Sequence, residues 1–182
     1  MPTLILDTTV LSCFARSGNL EILRSLASEH TVVTTPSVIE ELRRGSGDHP
    51  SLRDACALPW LEVVRLETIE ELTLFGVYAN RLVAGDRNHG EAEVLAKAEV
   101  SGSTPVTDDQ VAVQCARSRG LVPKRTLALI ARGVRRGLLT QEDAVALVDD
   151  LIEGGARFPC RGRRFLGWAT ENGLLSEEKK SE

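Results

Sequence analysis

The sequence lacks the residue patterns that mark several common classes of protein. Its four cysteines lie far apart with no Cys-x-x-Cys pair, which argues against a zinc ribbon or a dithiol redox motif and favours reduced, packed thiols. The three histidines form no His-Glu-x-x-His pattern. No apolar run approaches the roughly 20 residues that span a bilayer, and Asp7 interrupts the first one. We therefore expect a cytoplasmic protein with no membrane partner.

Aromatic residues are also scarce, whereas charge is plentiful and unevenly distributed. Two Trp, one Tyr and four Phe give no obvious platform for stacking the bases of a single strand. Residues 1–116 carry 9 Lys/Arg against 17 Asp/Glu, whereas residues 117–164 carry 11 against 5. An acidic body joined to a basic segment indicates an anionic partner. The length of 182 residues and the hydrophobic content of 42% suit one domain with a substantial core.

Short apolar runs alternate with amphipathic segments along most of the chain. Such alternation predicts an α/β protein with a layered, mostly parallel sheet. We expect strands near residues 4–6, 31–34, 61–65 and 104–107, and helices near 8–16, 20–26, 38–44, 52–57, 68–83, 91–98 and 110–118. Three more helices are expected over 123–136, 140–154 and 161–172, followed by a frayed charged tail at 176–182. In the 68–83 helix, Glu70 and Glu71 are predicted on the solvent side.

Acidic residues recur where these elements begin or end. Asp7 follows the first strand, and ligands of open α/β sheets bind at that edge, although an Asp there also commonly caps a helix. At about 100° per residue, Glu41 lies nearer than Glu40 to the apolar face of its helix. One of Asp108 and Asp109 can cap the next helix while the other serves as a ligand, and the sequence leaves the order open.

The helix after Gly90 carries two further acids with different expected environments. Glu91 is in line with the apolar stripe, and an unpaired buried charge there is costly. Glu93 points nearly the opposite way, and it is predicted to be a solvated acid favoured by the helix dipole.

Carboxylates from separate elements that converge at one sheet edge repel one another unless protons or a cation neutralise them. Mg²⁺ and Mn²⁺ prefer such oxygen ligands, and a bound metal can activate water for attack on a phosphodiester. The hydroxyls of Thr8, Thr9 and Thr107 could orient water or ligands around such a metal. The competing interpretation is a set of unrelated helix caps.

Four segments in this order resemble the PIN domain family: L-I-L-D-T-T-V-L, P-S-V-I-E-E-L-R-R-G, G-E-A-E-V-L-A-K-A and V-T-D-D-Q-V-A-V-Q-C-A. The resemblance implies a three-layer α/β/α fold with a mostly parallel sheet and a metal-dependent ribonuclease site. The implied catalytic acids are Asp7, Glu41, Glu91 and Asp108 or Asp109, with Asp7, Glu91 and Asp109 as ligands of Mg²⁺ or Mn²⁺. Many members carry Asp where this chain has Glu91.

The segment after residue 120 resembles the helical extension of longer prokaryotic members. We expect a nuclease core over 1–120, an extension over 121–175 packed on the same domain, and a flexible tail at 176–182. Basic side chains of the extension are candidates for RNA binding, the alternative being solvated helix faces. They are Lys124, Arg125, Arg132, Arg135, Arg136, Arg161, Arg163 and Arg164.

The functional alternatives differ in class. Within the nuclease interpretation, a toxin that pairs with an antitoxin protein and an RNA-processing enzyme both stay open, and a homodimer is expected because relatives commonly dimerise. A non-catalytic nucleic-acid-binding module is a second alternative. A phosphohydrolase with an aspartate nucleophile is a weaker one, because enzymes of the haloacid dehalogenase type carry a second Asp where this chain has Thr9.

Overall fold

The computed structural model describes residues 1–82 and 88–176, and its centre is a four-stranded sheet whose strands are all parallel. The strands are β1 (Thr3–Leu6), β2 (Thr31–Thr34), β3 (Glu62–Val63) and β4 (Thr104–Val106), in the spatial order β3-β2-β1-β4. Leu4 of β1 pairs with Val32 on one side and with Thr104 on the other. The chain therefore adds β2 and β3 on one side of β1 and then returns to add β4 on the other side. The boundary between β1 and β4 is the switch point at which open α/β sheets bind ligands.

Helices follow the strands and cover the sheet. Those before β4 are α1 (Thr8–Arg16), α2 (Leu20–Leu26), α3 (Pro36–Gly45), α4 (Leu52–Ala55), α5 (Ile69–Leu82) and α6 (His89–Ser101). Those after it are α7 (Gln110–Ser118), α8 (Thr126–Arg135), α9 (Gln141–Glu153) and α10 (Gly162–Glu171). The predicted three-layer α/β/α fold with additional C-terminal helices is confirmed. Across the two described ranges, no helix has the length and apolarity needed to cross a bilayer.

Two apolar cores hold these elements together. The larger one surrounds β1, whose Leu4, Ile5 and Leu6 are almost fully buried because a parallel strand has helices on both faces. Helices α8, α9 and α10 contribute to this same core with Ile130, Leu151 and Phe165 respectively. A smaller core joins α5, α6 and α7 around the buried Tyr78. The division of the chain at residue 120 stays a prediction.

Several predicted bounds differ from the structure by a few residues, and two of these differences concern the sheet. The strand expected over 61–65 shortens to Glu62–Val63 at the edge of the sheet. The helix expected from residue 123 begins only at Thr126, because Lys124 pairs with β4 instead. The Lys124 N–H donates to the carbonyl of Pro105 at 2.9 Å, and the Thr107 N–H donates to the carbonyl of Lys124 at 3.0 Å. This pairing satisfies backbone groups that β4 would otherwise leave open.

The prediction that Glu71 is a solvated acid is wrong. Its carboxylate is buried and accepts hydrogen bonds from the backbone N–H groups of Glu67 at 2.7 Å and Thr68 at 3.0 Å. Lys97 of α6 donates to it at 2.6 Å. Burial alone would raise the pKa of Glu71, but these donors lower the pKa to about 2. Glu71 thus caps α5 and joins it to α6, while Glu70 is exposed as predicted.

Two predictions fall outside the described residues. They are the end of the 68–83 helix at Val83 and the tail beyond Ser176.

Candidate carboxylate site

The structure brings the predicted acids together at the carboxyl ends of the central strands. Asp7, directly after β1, is fully buried and caps α1, because its Oδ1 accepts the N–H of Val10 at 2.8 Å. Its other oxygen, Oδ2, is buried and has no hydrogen-bond partner among the described residues. Burial and the negative charge of Glu91 raise the pKa of Asp7 well above its ordinary value, despite the nearby hydroxyl of Thr107. Asp7 is therefore both a helix cap and a carboxylate in an unfavourable environment.

Glu91 lies on the first turn of α6 and is in a similar state. The residue is 8% exposed, and its Oε2 is buried without a hydrogen-bond partner in the described part of the chain. Burial, followed by the negative charges of Glu41 and Asp109, raises the pKa of Glu91 to about 7. The interaction of Glu91 with Asp7 links the two orphaned oxygens in one electrostatic cluster.

Glu41 of α3 completes this side of the cluster. It accepts hydrogen bonds from the hydroxyl of Thr8 and from the Gly90 N–H, the latter at 3.0 Å. Its neighbour Glu40 is exposed, as the helical geometry predicts. A Cβ at Gly90 would lie 2.7 Å from the Thr8 hydroxyl oxygen and 3.0 Å from Glu41 Oε2. Only glycine therefore lets α6 begin so close to these side chains.

The two consecutive aspartates after β4 have different partners. Asp109 is the N-cap of α7, and its Oδ1 accepts the Ala112 N–H at 2.7 Å. Asp108 accepts the N–H of Thr126 at 3.0 Å and the Thr126 hydroxyl at 2.5 Å, which fixes the start of α8. Burial raises the pKa of Asp108 above its ordinary value. The negative charge of Asp108 raises the pKa of Asp7, and that of Asp109 raises the pKa of Glu91, so both belong to the cluster.

Glu93 is not the solvated acid predicted from the sequence. Its Oε2 accepts the backbone N–H of Ser37 at 2.8 Å. Ser37 is in the first turn of α3, whose N-cap residue Thr35 provides no side-chain cap. Glu93 therefore caps α3 from α6, and it ties together the helices that carry Glu41 and Glu91.

The carboxylate oxygens of the cluster are the type of ligand that a hard divalent cation prefers. Their positions do not yet surround a single point at which an ion would bind. Within residues 1–82 and 88–176, no three His, Cys, Asp or Glu side chains form a ready metal-binding group. The carboxylates of Glu41, Asp108 and Asp109 already accept hydrogen bonds from hydroxyl groups or backbone N–H groups. Among the described carboxylates, the buried oxygens without partners are Asp7 Oδ2 and Glu91 Oε2. Since buried carboxylate oxygens are stable only when paired, these two are the atoms that a Mg²⁺ or Mn²⁺ ion would satisfy.

Two connected cavities open onto the cluster. The first, of about 410 Å³, is lined by residues that include Ser12, Arg16 and Glu91. The second, of about 680 Å³, is lined by residues that include Asp109 and Arg157. Both cavities are lined by Thr9 and Gly155, so they form one groove across the acids; the second cavity also contains Asp108, Arg125, Phe158 and Pro159.

A family model described as a PIN domain matches residues 3–162 of the chain. The chain belongs to the PIN domain family. PIN domains have a nuclease-type fold, are generally nucleases and generally use divalent metals, which agrees with the acidic groove. No curated protein matches the sequence of this PIN domain.

The predicted RNA-binding residues of this PIN domain divide into two groups. Arg125 lines the groove and donates to Gln110, and Lys124 immediately precedes it. Arg161, Arg163 and Arg164 line a cavity of about 470 Å³ that shares Arg157, Phe158 and Pro159 with the groove. This first group extends the groove with positive charge.

The second group lies elsewhere on the PIN domain. Arg132 and Arg136 both pair with Glu29, the former at 2.7 Å. Because Glu29 precedes β2, this pair lies at the amino ends of the strands, opposite the acids. Arg135 donates to the carbonyl of Ser176 at 2.9 Å. The structure does not bring these three arginines to the groove.

Sequence reasoning missed three arginines that line the groove: Arg16, Arg44 and Arg157. Arg16 lies seven residues after Thr9 on α1, and this spacing, which places both on one helix face, could have revealed it. Arg157 follows the Gly154–Gly155 pair that ends α9, and no local pattern predicts its position. A Cβ at Gly155 would lie 2.6 Å from Arg16 Nη1, so glycine lets this loop pack directly on the Arg16 guanidinium.

Proposed function

We propose that this PIN domain is a metal-dependent endoribonuclease that acts on cytoplasmic RNA. The observation that carries the proposal is the pair of buried, unpartnered oxygens of Asp7 and Glu91 at the switch point of the sheet. Asp7 and Glu91 would hold Mg²⁺ or Mn²⁺, with Asp109 beside them. When bound, the ion would lower the pKa of a coordinated water and stabilise negative charge on the phosphodiester.

The other residues of the site hold this arrangement. Thr8 and the Gly90 N–H fix the carboxylate of Glu41 at the mouth of the first cavity. The hydroxyl of Thr107 accepts the Asp109 N–H at 3.2 Å and fixes the turn after β4. Thr9, which lines both cavities, is placed to orient water or a phosphate oxygen.

RNA is the proposed substrate because arginines line both cavities together with the acids. Arg16 lines the first cavity, and Arg125 and Arg157 line the second. Arginines at such positions bind phosphates and set the register of the strand without reading its sequence.

The decisive experiment measures cleavage of a mixed RNA pool with Mn²⁺, with Mg²⁺ and with a chelator. We expect Asp7→Asn to lose at least about 100-fold in rate, since it removes a ligand charge. Glu41→Gln should lose more than about tenfold, while the matched control Glu40→Gln, on the exposed side of α3, should cleave at the wild-type rate. Equal cleavage by wild type and Asp7→Asn would identify a contaminating nuclease and remove the proposal.

A non-catalytic RNA-binding module is the second candidate. It is favoured by the helix-capping bonds of Glu41, Asp108 and Asp109, which occupy oxygens that a metal would use. RNA binding by the wild type without cleavage at any concentration of Mn²⁺ or Mg²⁺ would select this candidate.

The cellular role is proposed separately from the chemistry. We propose two cellular roles: a toxin that pairs with an antitoxin protein, and an RNA-processing enzyme. Growth arrest on induction, relieved by the product of a small neighbouring gene, supports the toxin role. Normal growth with accumulation of unprocessed RNA in a deletion strain supports the processing role.

A further inference from the structure

Phe158 and Pro159 lie between two cavities, where the proposed chemistry gives them no role. On one side is the second cavity of the groove, which contains Asp108 and Asp109. On the other side is the cavity of about 470 Å³ that is lined by arginines. Both residues line both cavities. A strand that runs from the acids to these arginines therefore passes the ring of Phe158.

The ring of Phe158 is held in place by the core beneath it. Phe158 is half-buried and packs against the larger core. The loop before it is fixed to α9, because the Ala156 N–H donates to the carbonyl of Leu151 at 2.8 Å. The loop after it is fixed as well, since the Gly162 N–H donates to Asp149 Oδ1 at 2.9 Å. An aromatic side chain anchored in this way loses little conformational entropy when a ligand binds to its exposed side.

The cavity beyond Phe158 carries positive charge that the protein leaves unpaired. Its exposed arginines are Arg157, Arg161, Arg163 and Arg164. Among the residues whose positions are described, none forms a salt bridge or a hydrogen bond with any of these arginines. Asp149 and Glu153 border two of them in an adjoining cavity without pairing with either. Unpaired arginines that share one cavity attract a partner with several negative charges, such as the phosphates of a nucleic acid.

An aromatic ring beside phosphate-binding arginines favours a single strand over a duplex. In a duplex the faces of the bases are covered by their neighbours, whereas an unpaired base can stack on an aromatic side chain. The scarcity of aromatic residues predicted no stacking platform. Composition cannot show that one of the few rings lies between the acids and the arginines, which is a property of the fold.

We propose that Phe158 is a stacking platform for one base of a single-stranded RNA, and that the arginines of the adjoining cavity bind the phosphates next to that base. The inference rests on the proposed function, because it takes RNA as the ligand of the groove. It narrows the substrate to RNA with an unpaired nucleotide beside the site of cleavage. It implies no preference for one base, since every base has a face that can stack.

The first test measures binding in the Asp7→Asn background, in which RNA is not cleaved, by fluorescence anisotropy of a short single-stranded RNA and of its duplex. We expect the single strand to bind at least about tenfold more tightly than the duplex. Phe158→Leu keeps an apolar side chain on the core but removes the ring. It should weaken binding of the single strand at least about fivefold and leave binding of the duplex unchanged.

Trp168→Leu is the matched control for the loss of an aromatic ring. Trp168 packs against the same core as Phe158, but it lines neither cavity. Trp168→Leu should therefore bind the single strand as tightly as the parent protein. Equal binding by Phe158→Leu and the parent, or equal losses in the two variants, would overturn the proposal.

Inorganic polyphosphate separates stacking from charge, because it has phosphates but no bases. Phe158→Leu should bind polyphosphate as tightly as the parent protein, whereas Arg163→Ala should weaken binding of polyphosphate and of single-stranded RNA by about 3–10-fold. Equal losses of RNA and polyphosphate binding in Phe158→Leu would show that the substitution altered the loop as a whole. That result would overturn the stacking role.

The second test gives a spectroscopic signature of stacking. Phe158→Trp retains an aromatic ring, so it should retain binding of the single strand, and its indole fluorescence should be quenched when a base stacks on it. The parent protein, with Trp60 and Trp168, supplies the background signal. Quenching no greater than this background would overturn the proposal.

The outcomes separate this inference from the proposed function. Binding of single-stranded RNA that depends on Phe158, without cleavage by the wild type, would remove the nuclease and keep the stacking platform. Cleavage by the wild type, with RNA binding that Phe158→Leu does not change, would keep the nuclease and remove the platform. A protein that binds neither form of RNA would overturn both.

Discussion

Asp7 and Glu91 each place a carboxylate oxygen in an unfavourable buried environment. Each oxygen without a partner is buried by apolar packing and repelled by other carboxylates, and the pKa of each side chain rises for both reasons. Such groups weaken the metal-free protein and become favourable when a cation binds. Their behaviour can therefore be measured without any RNA.

The first prediction concerns the stability of the metal-free protein. The pKa of Glu91 rises from 4.5 to about 7 on folding, so the folded chain binds more protons than the unfolded chain in this interval. The contribution of Glu91 to stability must then fall as pH rises from about 4.5 to 7. Glu91→Gln should remove this loss, adding on the order of 2 kcal/mol, or about 5 °C in Tm, at pH about 8 and nothing near pH 4.

The measurement is thermal unfolding in chelator across that pH range, with Glu40→Gln as the matched control. A Glu91→Gln protein with the wild-type Tm at pH about 8 would show that Glu91 is not held in an unfavourable environment.

The second prediction concerns metal binding. Mn²⁺ should raise the Tm of the wild type by several degrees, because an ion that binds only the folded state adds about 2.7 kcal/mol at 100 times its Kd. Asp7→Asn should lose most of this increase, whereas the exposed control Asp54→Asn should keep it. Calorimetric titration gives the stoichiometry. Equal increases for Asp7→Asn and wild type would place the ion elsewhere.

At the scale of elements, the site depends on how closely α6 approaches α1 and α3. Gly90→Ala should destabilise the protein by about 1–3 kcal/mol, because its Cβ would collide with Thr8 and Val38. Cleavage should fall more than about tenfold as Glu41 loses the Gly90 N–H. Gly167→Ala is the control, since no described heavy atom lies within 4 Å of a Cβ there and α10 should accept alanine. Equal unfolding curves for the two variants would contradict the close approach.

The elements were predictable from sequence, whereas several of their contacts were not. Strand and helix positions follow from local periodicity, and the same geometry separates the exposed Glu40 from the half-buried Glu41. Glu93 was predicted wrongly because its partner Ser37 is 56 residues distant in sequence. For Glu71 the local capping bonds with Thr68 follow a Thr-x-x-Glu pattern that the sequence contains, whereas the ion pair with Lys97, 26 residues distant, does not appear in it. A helical projection contains the neighbours of one helix only, so a cap supplied by another element cannot appear in it.

The aspartates after β4 show the same limit. Asp is a common N-cap residue, so the sequence allows either Asp108 or Asp109 to cap α7. The structure shows that Asp109 caps α7 and that Asp108 accepts the hydrogen bond of the Thr126 hydroxyl. The bond between Asp108 and Thr126 depends on Lys124 pairing with β4, which brings the start of α8 to the site. The local sequence at 123–136 predicts helix throughout and contains no sign of that pairing.

At the scale of the whole molecule, the basic segment serves two purposes. Arg132 and Arg136 pair with Glu29 at the edge opposite the acids, whereas Arg125 and Arg157 line the groove. A charge count along the sequence cannot separate these groups, because α8 carries its arginines away from the groove while the loop after α9 carries Arg157 into it.

The last prediction tests the path of RNA along the groove. In the Asp7→Asn background, which prevents cleavage, Arg16→Ala and Arg157→Ala should each weaken binding of a single-stranded RNA by about 3–10-fold. Each should lower the slope of log K against log salt by about one. Arg117→Ala, at the exposed far end of α7, is the control. If neither groove substitution changes RNA binding, this path is excluded. The cleavage assay, which tests the acids, is not affected by that result.

The contact between Glu93 and Ser37 has a consequence for how this PIN domain could change during evolution. The N-terminus of α3, which carries Glu41, is capped by the Glu93 carboxylate of α6, which carries Glu91. The contact therefore holds the two helices, and with them the two acids, in a fixed arrangement. Loops that border the groove can therefore diverge in sequence without altering the spacing between the two acids.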